Sequence, residues 1–119
     1  MSQAFNPGDD LIFQLESGFG LLRVLAVEGE GAGTVWHLLA YDDFFPDIEA
    51  AEAALAQATP LPVRKAHMAL TNRAFERTPV ARLGNRPVTQ DELVTYNAWL
   101  NNSERSVSDR SALLMLGVR

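Results

Sequence analysis

Polar and apolar residues alternate in short runs over the first third of the chain and recur at helical spacing only further on. Asn6-Pro7-Gly8-Asp9 is a turn signal that launches an apolar run over residues 10–15, read as a strand. Glu16-Ser17-Gly18 is a second turn. Residues 19–28 form a long strand rich in Leu and Val, whose imperfect alternation predicts cover on both faces. Gly29-Glu30-Gly31-Ala32-Gly33 reads as a flexible hairpin loop, and residues 34–41 as a third strand with β-branched and aromatic side chains. Three strands with short turns make an antiparallel meander. The fold class is therefore α+β: an antiparallel β-meander or a small SH3-like, partly open barrel with two to three helices.

The regime changes at Asp42-Asp43-Phe44-Phe45-Pro46-Asp47. Pro46 suits a helix start, and Asp47 and Glu49 suit the positive end of its dipole. The alanine-rich stretch 48–58 predicts a helix whose thin stripe of Ile48, Ala51, Leu55 and Ala58 packs shallowly on the sheet. Thr59-Pro60-Leu61-Pro62 ends it. A further strand falls within 63–70, 71–78 reads as a short helix or a bent strand, and 79–83 as a short strand. Gly84-Asn85 is a tight turn before a short return, 86–88.

Thr89-Gln90-Asp91-Glu92 fits a capping box, and Leu93, Tyr96, Trp99 and Leu100 follow at helical spacing, predicting a helix over 90–101. The apolar tail of Ala112, Leu113, Leu114, Met115 and Leu116 docks as a short helix on the sheet or is buried in a homodimer interface. No internal repeat or linker divides the chain, and 119 residues set an expectation of one α+β domain over 1–119.

The absence of cysteine excludes disulfides, thiolate metal sites and a cysteine nucleophile, and suits a cytoplasmic protein. Residues 1–10 lack the basic and apolar regions of a signal peptide, and no apolar run approaches the ~20 residues that span a bilayer. The net charge of −5 hides a split. Residues 1–59 carry ten acids against one base, Arg23, a net −9; residues 60–119 carry nine Lys/Arg against five acids, a net +4. Either the two halves face each other in the fold, or the acidic half offers a face to a basic protein partner. Nucleic acid would be repelled by it.

His37 and His67 lie in strands among apolar residues, the usual setting of a partly buried, hydrogen-bonded histidine. Sharing one cleft, they would instead serve a small enzyme or ligand-binding domain. Zinc would need a third ligand such as Asp42 or Asp43, and no close histidine spacing supports it, so no metal or cofactor is expected. Gly29, Gly31 and Gly33 fail the dinucleotide and Walker spacings, and no nucleophile elbow is present. No catalytic set emerges, which leans away from an enzyme. The favoured recognition residues are Asp42, Asp43, Phe44, Phe45 and Asp47, which set carboxylates beside two large aromatics at a strand-to-helix junction. In the plainer alternative, one phenylalanine plugs the core and the acids solvate the loop. Adjacent phenylalanines do not easily point the same way.

Pro7-Gly8-Asp9, a strand, and then Gly18-Phe19-Gly20-Leu21-Leu22-Arg23-Val24-Leu25 resemble the opening of the bacterial immunity protein 26 family. The resemblance covers about the first third of the chain. It implies a small, sheet-rich cytoplasmic partner of a polymorphic toxin and carries no functional residue with it.

Overall fold

The computed structural model describes residues 5–57 and 59–117. Residues 1–4, 58 and 118–119 lie outside the described residues, among them Ala58, the last position of the expected helical stripe. Five strands, β1 (Asp9–Leu15), β2 (Gly18–Glu28), β3 (Val35–Tyr41), β4 (Val63–Thr71) and β5 (Val80–Asn85), form one open sheet in the order β4-β3-β2-β1-β5. Every neighbouring pair is antiparallel. The first four strands are the meander, and β5 returns to the free edge of β1. Four α-helices are present among the described residues, more than the two to three expected: α1 (Ile48–Ala56), α2 (Asn72–Glu76), α3 (Val94–Leu100) and α4 (Ala112–Leu116).

Both faces of the sheet are covered, as the broken alternation of β2 requires. On one face Leu11, Phe13, Val24, Trp36, Leu38 and Leu70 pack beneath Phe75 of α2 and Ala112 and Leu116 of α4. On the other, Ile12, Leu21, Leu25, Leu39 and Tyr41 meet Ala51 of α1 and Tyr96 of α3. Each large side chain so buried contributes roughly 1.5–3 kcal/mol. The β1 entry is pinned at Gly8, whose φ of +92° favours glycine; a Cβ there would lie 2.4 Å from the Arg86 carbonyl oxygen.

Two elements, the 84–88 segment and the start of α3, differ from the expectation, and the α1 stripe agrees with it. The turn at Gly84-Asn85 does not form: β5 runs through it, because Asp9 and Asp10 pair with Asn85 and Gly84, and residues 86–88 make no return strand. The capping-box bonds do form, Glu92 N–H to Thr89 Oγ1 at 3.2 Å and Thr89 N–H to Glu92 Oε1 at 3.0 Å. The helix nevertheless begins only at Val94, because the first turn closes on the third residue back, Leu93 N–H to the Gln90 carbonyl at 3.1 Å and Val94 N–H to the Asp91 carbonyl at 3.4 Å, while the Glu92 carboxylate also accepts from Arg23 of the sheet at 2.5 Å. The α1 stripe is shallow: Ala51 is buried, Leu55 half-buried and Ile48 exposed. Among the described residues, no helix is long and apolar enough to cross a membrane.

Candidate functional site

His37 and His67 meet. His37, on the central strand β3, is inaccessible to solvent, and its Nδ1 lies 2.9 Å from Nε2 of the half-buried His67 on β4. On its other side, His37 Nε2 lies 2.5 Å from Glu28 Oε1. Tyr96 and Trp99 of α3 close over the pair, each with its ring centre 4.6 Å from that of His37.

The chain is assembled by a bulge. Val24 pairs with Leu38, but Ala26 pairs with His37, so Leu25 is an extra residue in β2. Upstream of it the even positions Leu22 and Val24 face the α2–α4 side; downstream Val27 faces that side and Glu28 turns to His37. In a regular strand Glu28 would point away from both histidines.

The hydrogen bonds fix the tautomers. A carboxylate only accepts, so His37 carries its proton on Nε2, and its Nδ1 accepts from His67 Nε2–H. The remaining lone pair is on His67 Nδ1, which has no partner among the described residues. Among those residues no buried side-chain nitrogen or oxygen lacks a partner, so this atom reaches solvent. The His67 side chain borders a shallow groove of about 250 Å³ with Trp99, Ser106 and Met115. Burial lowers the pKa of His37 against the opposing pull of Glu28. Burial first, then His37 and Lys65, lowers that of His67 to about 4. Both rings are neutral at pH 7, and His67 presents a hydrogen-bond acceptor to solvent.

The 42–47 segment lies elsewhere. Phe45 bridges to Phe19 and packs on the α1 side of the core, while Phe44 is 45% exposed. Arg64 stands over the Phe44 ring, 5.9 Å from its centre, 3.6 Å from Asp42, and donates to the Leu116 carbonyl at 3.0 Å. Asp47 caps α1, accepting from Ala50 N–H at 2.7 Å. Asp43, Glu49 and Glu52 are exposed and, among the described residues, have no ion-pair partner.

The charge split resolves into two parts. Asp9 and Asp10 are buried and paired: across the halves Asp10 with Arg86 at 2.7 Å and Asp9 with Arg82 at 3.9 Å, and within the first half Asp10 with Arg23 at 3.2 Å. Arg23, 1% exposed, also donates to Glu92 and to the carbonyls of Gly8, Arg86 and Pro87. The acids from Asp42 to Glu52 stay on the surface. In α4, Leu116 turns into the core, Leu113 and Met115 lie at its margin, and Leu114 is 69% exposed. Among the described residues no three His, Asp or Glu side chains converge as a metal cage would, and Asp42 and Asp43 stand apart from the histidines.

The sequence reading missed Glu28, Tyr96 and Trp99 at the histidine pair. The two rings were visible as a helical stripe; Glu28 had no signal, because a bulge within a Leu/Val-rich strand leaves none. No protein-family model matches the chain, and neither a curated protein nor a solved structure shows significant similarity to it.

Proposed function

We propose that the chain is a small protein-binding module of the cytoplasm, of the immunity type, whose docking surface for a basic partner is the start of α1 and the segment before it. The observation that carries this reading is the exposure of Phe44 and Ile48 among Asp42, Asp43, Asp47, Glu49 and Glu52. Two exposed apolar side chains supply an anchor, and the acids around them supply steering and selectivity for positive charge. Arg64, resting on Phe44 and Asp42, illustrates the chemistry expected of a partner guanidinium. We read the sheet as an SH3-like, partly open barrel in which β5 completes the meander beside β1.

The test is capture from the native lysate at low and high salt, using the full chain and two variants. Phe44→Ser and the triple Asp43→Lys, Glu49→Lys, Glu52→Lys should lose a partner that the wild type retains at low salt. Asp47 is left intact because it caps the helix. The same proteins captured by wild type and both variants, or no partner at either salt, would refute the reading.

A second reading is favoured by the Glu28–His37–His67 chain: a ligand-binding or acid–base site presenting His67 Nδ1 to solvent. Carbethoxylation of His67 by diethyl pyrocarbonate, faster than that of His37 by at least an order of magnitude, is its expected signature. Equal rates would remove its basis.

A further inference from the structure

A cavity of about 510 Å³ opens between α1 and the 86–92 segment, over the β3 side of the sheet. Its volume is in the range of small-molecule sites. It is separate from the histidine chain and uses none of the acids proposed for docking. Leu39, Leu55 and Leu61 make its apolar wall, and Tyr41 lies at its polar end.

Tyr41 is more than nine-tenths buried. Its oxygen accepts from Arg86 Nη2 at 3.2 Å, and among the described residues the hydroxyl donates to nothing. A phenol carries one proton to donate, so at this wall of the cavity a donor is left with no acceptor among the described residues. Burial raises the Tyr41 pKa, which keeps that proton in place at neutral pH.

The charge at this end selects the ligand. Arg23 and Arg86 are balanced by Asp10 and Glu92, with which they pair, and Asp91 adds a further negative charge to the wall. An anionic head would meet a carboxylate without a spare cation; a cationic head would find the free Tyr41 donor useless. An uncharged acceptor satisfies the hydroxyl and disturbs no ion pair.

We propose that this cavity binds a small, uncharged carbonyl compound with an apolar or aromatic body, its oxygen accepting the Tyr41 hydroxyl proton.

The test titrates the full chain with acetophenone, ethylbenzene and benzoate, followed by amide chemical shifts. Acetophenone should bind saturably and roughly 3- to 10-fold tighter than ethylbenzene, the span of one net hydrogen bond. Benzoate should bind more weakly than acetophenone. Tyr41→Phe should bring acetophenone down to the ethylbenzene value, and Leu55→Trp, which fills the cavity from its half-buried wall, should abolish both. Should Tyr41→Phe fail to fold, Leu55→Trp together with the acetophenone-to-ethylbenzene ratio decides alone. No saturable acetophenone binding up to its solubility, benzoate binding more tightly, or affinities unchanged in a folded variant would overturn the proposal.

Discussion

His37 Nδ1 accepts a hydrogen bond from His67 Nε2 at 2.9 Å, in a direction set by the Glu28 carboxylate on the far side of the His37 ring. The contact requires His37 to be neutral at Nδ1, and burial lowers both pKa values from the ordinary 6.5, His67 to about 4. As pH falls, the unfolded chain takes up these protons first, so stability is full above 6.5 and drains away between 6.5 and about 4. With solvent screening at the half-exposed His67, its share is about 1–2 kcal/mol. Urea unfolding across this window should show a smaller loss in His67→Gln than in wild type; parallel curves would contradict the arrangement.

Arg23 makes a different kind of demand. Among the described residues it is the one buried cation, and it holds both Asp10 and Glu92 together with three carbonyls. Arg23→Met leaves Glu92 without its cation and Asp10 with Arg86 alone, and should cost about 3–5 kcal/mol in urea unfolding. Adding Asp10→Asn and Glu92→Gln should recover part of that loss. A single variant as stable as wild type would show the network to be dispensable.

Gly20 lies under the ring of Phe13 across the β1–β2 pair, where a Cβ would sit 2.4 Å from Phe13 Cζ. Gly20→Ala should destabilise by about 1–3 kcal/mol through overpacking. Gly33→Ala, with nothing within 4 Å, should stay within about 0.5 kcal/mol of wild type by thermal or urea unfolding.

In the 42–47 segment, stability and the proposed docking should separate. Asp47→Ala removes the α1 cap and should cost about 1 kcal/mol. Phe44→Ala removes an exposed ring and should shift stability by no more than about 0.5 kcal/mol. Equal losses would mean that Phe44 holds the fold rather than the surface.

The strands were legible because Pro, Gly and acidic turn residues punctuate runs of branched and aromatic side chains. The ends of the elements were less so. The start of α3 shifted because its first turn closes on the third residue back, and β5 ran through Gly84 because Asp10 and Asp9 pair with Gly84 and Asn85. Asp9 itself looked like an ordinary turn acid and is fully buried. The two histidines were legible one at a time, as apolar-flanked strand positions. Their meeting depends on strand register, and the part of Glu28 on a bulge, neither of which any local residue pattern encodes. Phe44 and Phe45 diverge as adjacent residues at a strand end must, one to the core and one outward.

The extra residue at Leu25 has a larger effect than turning one glutamate. Arg23 and Glu28 are five positions apart, an odd separation that sends side chains to opposite sides of a regular strand. Here both serve the side covered by α1 and α3, Arg23 at the Asp10–Glu92 end and Glu28 at the histidine end. One strand thus supplies the cation of one buried polar system and the anion of the other. What joins them is a count of residues rather than their identity: deleting any one position between Val24 and Glu28 would keep the composition apolar and send the Glu28 carboxylate under α2 and α4.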